Sequence, residues 1–274
     1  MSEPDEGRRL SRDQLTVLAS LVVLAILSWI YIVHLAGHMP VGAQGPSAEP
    51  MNGMPMPGMA TGSPASQPSG TASLALGALM WFAMMIGMML PSAAPMLMLY
   101  AHVQRRRAGA SPLLRTALFG LGYLVVWAGF SLAAAAFQEA LARTALLTPG
   151  LTLASTLIGG ATLVAAGLYE LTPLKQSCLA HCRGPVAFIA GHWRAGASGA
   201  VRMGLDHGFY CLGCCWALML LLFVGGVMNL LWIAALACLV LIQKLLPAGR
   251  VITWVTSGTL VTAGLVVLSS PAWR

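Results

Sequence analysis

The chain has 274 residues and a mass of 28.6 kDa, with 58% hydrophobic residues, only 8% charged residues and a mean hydropathy of +0.79. A soluble domain carries about 25% charged residues, so this composition cannot cover a globular surface with polar groups and excludes a soluble enzyme. The net charge of +7 and pI near 9.5 would point to nucleic acid in a soluble chain; here they orient membrane spans, and no nucleic-acid partner is expected.

A bilayer core about 30 Å thick is crossed by roughly 20 apolar residues of helix. Seven apolar runs, with at most one charged residue each, approach that length, at 15–35, 74–100, 113–137, 151–171, 208–227, 228–246 and 251–269. The predicted architecture is all-α, a polytopic transmembrane helix bundle of about seven spans. The fifth and sixth runs touch near Met228 and Asn229, so 208–246 reads either as two full spans or as one re-entrant element. The first run is too long for a signal-peptide core and no small-residue cleavage site follows it directly, so it reads as a retained anchor.

Lys and Arg set the orientation. With the N-terminus inside, Arg8, Arg9, Arg12, Arg105, Arg106, Arg107, Arg115, Lys175, Arg183, Arg194, Arg202, Lys244 and Arg250 fall on the inner side, and only Arg143 and Arg274 fall outside. This bias predicts a cytoplasmic N-terminus and a C-terminus on the outer side, which in the inner membrane of a bacterium is the periplasmic side. The organisation expected is a cytoplasmic N-terminus (1–14), a transmembrane anchor (15–35), a periplasmic Met/Pro/Gly-rich loop (36–73), a six-span metal-binding membrane domain (74–269) with a cytoplasmic loop (172–206), and a short tail (270–274). Loop 36–73 has no Lys or Arg and no periodicity, which predicts an extended external segment. Thr172 and Pro173 read as an N-cap and first helical residue, and PVAFIAGHWR at 185–194 is amphipathic enough to lie in the membrane interface. No repeat marks an inverted-topology transporter.

Five of the six cysteines cluster, in SCLAHC (Cys178, Cys182) and HGFYCLGCC (Cys211, Cys214, Cys215). Cys178, His181 and Cys182 are spaced i, i+3, i+4, and His207, Cys211, Cys214 and Cys215 are spaced i, i+4, i+7, i+8, so each set shares one helical face. Two faces of thiol and imidazole predict a tetrahedral site with ligands to spare for Cu(I) or Zn(II), with an iron-sulfur cluster as a weaker fit. Three other readings compete: apolar packing, the default for a lone cysteine such as Cys238; redox or persulfide chemistry; and disulfides, which the reducing side disfavours. None of the spacings is a diagnostic zinc pattern.

Methionine is the second signal, with 16 in the chain. The external loop holds Met39, Met51, Met54, Met56 and Met59 just after His34 and His38, and thioethers select Cu(I) over hard ions without needing deprotonation. A low-complexity linker with incidental methionine is the alternative. In the second span Met80, Met84 and Met88 form a stripe with Met85 and Met89 beside it, which reads as lipid or core contact or as a relay toward the inner cluster. Pro91 and Pro95 interrupt the same helix, and the carbonyls they free need neighbours or a cavity.

Acidic residues are scarce. Glu170 ends the fourth run, where it can pair with Lys175 or serve the metal site from a second layer, and Glu139 ends the third; neither sits at a midplane, which disfavours a proton-coupled pump. His34, His102 and His207 lie near span ends without the pairing a bis-His haem needs. No Walker-type loop, G-x-S-x-G or H-E-x-x-H occurs, so no catalytic residue is assigned. Small residues, among them Gly159, Gly160, Ala133 to Ala136, Gly225 and Gly226, suit close helix packing.

Four stretches, MMLPSAAPMLMLYA, AAGLYELTPLKQSCLAHCRGP, GLDHGFYCLGCCWALMLLLFVGGVMNLLW and LIQKLLPAG, together resemble a bacterial domain-of-unknown-function family described as predicted metal-binding integral membrane proteins. The resemblance spans about 74–250 and implies Cys178, His181, Cys182, His207, Cys211, Cys214 and Cys215 as metal ligands. The sequence thus points to a membrane protein that handles a soft metal, foremost Cu(I), in uptake, transfer or homeostasis. External His34, His38, Met54, Met56 and Met59 would collect the ion and Met80, Met84 and Met88 would pass it inward. The alternatives are a membrane oxidoreductase or electron-transfer protein with a metal cofactor, and an accessory or assembly subunit of a copper-containing membrane enzyme. The partners expected are the lipid bilayer, a soft metal ion, and a copper enzyme or metallochaperone.

Overall fold

A helix satisfies each backbone N–H and C=O within its own segment, which is why runs this apolar and this poor in polar side chains adopt it. In the computed structural model, which describes residues 12–38, 71–106, 112–148, 151–246 and 249–270, ten helices follow one another. They are α1 (Arg12–His38), α2 (Thr71–Arg106), α3 (Pro112–Arg143), α4 (Thr156–Glu170), α5 (Pro173–Arg183), α6 (Pro185–His192), α7 (Gly196–Leu220), α8 (Leu222–Gly225), α9 (Leu230–Leu245) and α10 (Gly249–Ser269). Among the described residues there is no strand, only an isolated bridge between Leu147 and Leu153.

Helix α2 is the pillar. It packs against α1, α3 and α9 and buries Trp81, Met84, Met85, Met88, Met89, Met96 and Tyr100. Its Met stripe therefore lies inside the bundle. Helix α7 packs on α3 at a point where both backbones lack a side chain: a Cβ on Gly204 would lie 2.0 Å from the Phe119 carbonyl oxygen, and one on Gly122 would lie 2.3 Å from that of Val201. Helices α4 and α10 form the other tight pair, with Gly160 facing Gly264 and the Ser257 hydroxyl donating to the Gly167 carbonyl at 2.7 Å.

The distribution of polarity is inverted relative to a water-soluble fold. Leu157, Val186, Leu231, Val251, Trp254 and Val266 are among many large apolar side chains that face outward, whereas Glu170, Lys175, His207, Gln243 and Lys244 are buried. Five helical stretches are long and apolar enough to cross a membrane: Arg12–Gly37, Thr71–Arg106, Pro112–Arg143, Gly196–Gly225 and Arg250–Ser269. The α4–α5 pair, bent by 63°, would make a sixth.

The breaks refine the sequence reading. In run 151–171 the helix starts only at Thr156, where Ser155 caps it, and it ends at Glu170. Thr172 then caps α5 through the Lys175 backbone N–H, with Pro173 in the first turn, as its residue types predict. Run 208–227 belongs to a helix that begins earlier, at Gly196, so most of the segment read as a loop at 172–206 is helical. Run 228–246 yields α9, 16 residues long, about 24 Å at 1.5 Å per residue and short of a full bilayer core. Chain reversal between α8 and α9 uses Gly226 at φ +96° and an Asn229 cap on the Trp232 backbone N–H. Helix α6, expected to lie in the interface, inserts Phe188 and Ile189 into the core. Lys175 and Lys244, counted from sequence as inner-side charges, are buried helix residues with partners, so they say little about sidedness. Residues 39–70, which hold most of the Met-rich loop, lie outside the described residues.

The α3–α7 contact is testable. Gly204→Ala should cost roughly 1–3 kcal/mol, as overpacking does, and lower the thermal unfolding midpoint of the detergent-solubilised protein. Gly129→Ala, where a Cβ meets nothing within 4 Å, should leave the midpoint unchanged or raise it slightly, since Ala favours a helix interior over Gly by about 0.5–1 kcal/mol.

Candidate metal centre

Helical periodicity puts His207, Cys211, Cys214 and Cys215 on one stripe of α7, and all four are buried. The neighbouring α5 brings in Cys178 and Cys182. Cys178 rests against Gly213, where a Cβ would sit 2.8 Å from its sulfur. Cys182 turns inward, with its Sγ 3.9 Å from that of Cys214. A second sulfur pair forms between α7 and α2: Cys215 Sγ lies 3.9 Å from Met89 Sδ. The Cys214 and Cys215 thiols also donate back to the Cys211 carbonyl, each at 3.0 Å. All these cysteines are free thiols.

Cys211 has the most polar surroundings. Lys244, at the end of α9, directs its Nζ to Cys211 Sγ at 2.9 Å and to Ser92 Oγ at 3.1 Å. Tyr123 from α3 brings its hydroxyl to 3.1 Å from the same sulfur. The carbonyl of Met89 accepts from Ser92 Oγ at 2.8 Å and from Tyr123 at 3.3 Å. Helix α2 runs on through Pro91 and Pro95, and the Met89 carbonyl just before them is satisfied by two side chains.

A second buried network adjoins the first. Glu170 and Lys175 form a fully buried ion pair, Lys175 Nζ also donates to Gln243 Oε1 at 2.9 Å, and Gln243 Nε2 donates to Glu170 Oε2 at 2.9 Å. Arg183 donates to the Gln243 carbonyl. The two sequence-singled residues Glu170 and Lys175 thus bind the bent α4–α5 pair to α9, one residue away from Lys244.

The histidines divide. His207 packs against Tyr123 and Phe119 of α3, with ring centroids at 5.8 and 6.0 Å, and Phe188 meets it edge-on at 5.3 Å. Its Nδ1 is buried without a hydrogen-bond partner. His181 leaves the thiols and stacks flat on Tyr210 at 4.1 Å, because it is one residue, about 100° of helix, away from Cys182. His34 lies on the exposed side of α1, the side chain of His38 and all of Met54, Met56 and Met59 lie outside the described residues, and Met80, Met84 and Met88 are buried on α2. Cys238 is exposed.

The tetrahedral site expected from the spacings is not assembled: among the described residues no three His, Cys, Asp or Glu side chains are grouped to hold one ion. What the fold brings together is pairs of sulfur. Tetrahedral ligation with sulfur about 2.3 Å from the metal separates sulfurs by about 3.8 Å, close to both observed pairs. The sequence reading left Met89, Tyr123, Ser92 and Lys244 out of the site. For Lys244 a signal existed, a lysine inside a run otherwise apolar; for Tyr123 and Ser92 there was none, since hydroxyls of this kind occur throughout helices.

Residues 78–267 match the sequence profile of the PpoB2 family, described as copper chaperone. The chain belongs to this copper-chaperone family. No curated protein and no solved structure matches it. The stretch shared with the copper chaperones contains every sulfur and polar partner of the pocket and leaves out α1 and the Met-rich loop. A copper-related function and copper as the metal handled follow from that membership.

The buried pair beside the pocket has a measurable signature. Lys175→Met strands the Glu170 carboxylate and should cost about 3–5 kcal/mol, whereas adding Glu170→Leu should restore most of the loss. Thermal unfolding midpoints of the two variants check the order.

Proposed function

We propose that the chain is a multi-pass protein of the bacterial inner membrane that holds Cu(I) in the pocket between α2, α5, α7 and α9 and passes it to a copper enzyme or a metallochaperone. The observation that carries this reading is the two soft donor pairs, Cys182 with Cys214 and Cys215 with Met89, each 3.9 Å apart; each pair includes a cysteine that shares α7 with Cys211, whose sulfur lies 2.9 Å from the buried Lys244 ammonium. Cu(I) is content with two or three soft ligands, whereas zinc in a structural site takes four. Charge favours the same ion. Two thiolates and one Cu(I) carry a net charge of −1, and a buried charge is tolerated when it is paired; the Lys244 ammonium beside Cys211 supplies the balance. A divalent ion on the same two thiolates would leave Lys244 uncompensated.

Membrane residence is supported by the five long apolar stretches and the apolar exterior, and the N-inside orientation by the Lys and Arg bias. Within this reading 1–14 and 172–206 face the cytoplasm, 36–73 faces the periplasm, and 15–35 is the anchor of a membrane domain that runs to 269. The Met-rich loop, His34 and His38 collect the ion, and Met80, Met84 and Met88 lead along α2 to Met89, whose thioether meets Cys215. A thioether path suits entry because it binds Cu(I) without releasing a proton.

Anaerobic Cu(I) titration of the purified protein against a chromophoric chelator tests the pocket. Wild type should bind Cu(I) through sulfur, seen in X-ray absorption. The Cys182→Ser, Cys214→Ser double variant should lose at least tenfold in affinity, with Met89→Leu a smaller loss. Lys244→Met should weaken Cu(I) relative to Zn(II), because it removes the balancing charge. A wild type without bound copper, or a double variant with wild-type affinity, would refute the assignment.

A further inference from the structure

Beside the thiols, where α5, α6 and α7 meet, two partly covered imidazoles lie against one another. His181 and His192 have ring centroids 5.9 Å apart at 77°, and Tyr210 of α7 backs both rings, at 4.1 and 6.0 Å. Each ring is oriented in the same way: His181 Nδ1 lies 2.8 Å from the Ser177 carbonyl oxygen and His192 Nδ1 lies 3.1 Å from that of Phe188. A carbonyl oxygen has no proton to give, so each Nδ1 carries the hydrogen and each Nε2 presents its lone pair. A backbone carbonyl holding Nδ1–H is the arrangement that orients metal-binding histidines.

We propose that His181 and His192 form a second Cu(I) site, an exit station from which the ion leaves the protein. This rests on the copper reading of the thiol pocket and extends it to a residue, His192, that the cysteine motifs do not include. The separation fits a shared ion. With a metal about 2.0 Å from each nitrogen, an ion lies about 3.1 Å from each ring centre, so two imidazoles on one ion have centres roughly 5–6 Å apart. Two nitrogen donors suffice for Cu(I) and leave open positions for an incoming ligand.

Position argues for exit. The thiols of Cys211, Cys214 and Cys215 are buried, while His181 and His192 are only partly covered. A single residue step joins the two places, since His181 precedes Cys182, whose sulfur is paired with Cys214. A second connection runs through Phe188, stacked on His192 at 4.6 Å and edge-on to the buried His207 at 5.3 Å. Imidazole nitrogen holds Cu(I) less tightly than thiolate sulfur, so an ion moved from the sulfurs to the imidazoles is easier for an acceptor to take. Apart from the exchange of metal–ligand bonds only an S–H bond forms: the ion keeps its oxidation state, and the thiolate it leaves takes a proton from solvent.

The test uses the full-length protein in detergent with Cu(I) alone, in wild type, His192→Phe, which keeps an aromatic ring against Phe188, and His181→Gln. Copper per chain, copper-edge X-ray absorption and the rate of transfer to bicinchoninate are measured. Wild type should take a second equivalent that adds nitrogen donors. Both variants should lose that equivalent, keep the sulfur-bound first one, and transfer copper at least tenfold more slowly. Sulfur-only ligation in saturated wild type, or a second equivalent and wild-type transfer rate in His192→Phe, would overturn the exit station and leave the thiol pocket standing. A wild type with no bound copper would remove both.

Discussion

Two adjacent residues at the end of α9 tie the interior together. Gln243 completes the Glu170–Lys175 pair that holds the bent α4–α5 segment, and Lys244 reaches across to Cys211 on α7 and Ser92 on α2. A buried ion needs both a counter-charge and hydrogen bonds to be tolerated in a medium of low dielectric. The placement of α9 therefore decides whether α5, and with it Cys178 and Cys182, can sit against the cysteine stripe of α7.

Close backbone approach does the rest. Gly204 and Gly122 let α7 lie directly on α3, which carries Tyr123 to within hydrogen-bonding reach of Cys211. On the opposite flank α4 and α10 meet through glycines, so α4 is anchored from behind while Glu170 at its end points inward. The thiol cluster thus lies where α2, α5, α7 and α9 meet, with α3 supplying Tyr123. Its contents are sulfur, one ammonium, hydroxyls and an imidazole with an unpaired buried nitrogen, an environment that places soft donors and one positive charge together. That combination is what the proposed Cu(I) site draws on.

Much of the helical architecture was legible because apolar length is a local property. The long runs, the Thr172–Pro173 start of α5 and Gly160 at the α4–α10 contact follow from residue types over short windows, whereas Gly122, Gly204 and Gly264 were not singled out. Helix ends were less legible. Neither the early start of α7 at Gly196 nor the late start of α4 at Thr156 shows in hydropathy, since α7 begins in a polar, glycine-containing segment and the stretch before α4 is apolar without being helical. Sulfur spacing correctly grouped the thiols by helix face. It overstated the result for His181, because residues one step apart diverge by about 100° on a helix and only one of them can face a given neighbour.

Taken alone, the sequence determined that this chain is a bundle of apolar helices, that its basic residues are unevenly distributed, and that its soft ligands concentrate in two short motifs and on one face of α2. These are matters of composition and period, which each segment carries by itself. Only the tertiary structure decided that sulfurs meet in pairs instead of closing a four-ligand site, that Lys244 and Tyr123 converge on Cys211, and that His181 turns to His192. Those outcomes depend on how far apart whole helices are held and at what angle. Contacts between distant segments, such as glycine against backbone and one buried amide against an ion pair, set that spacing.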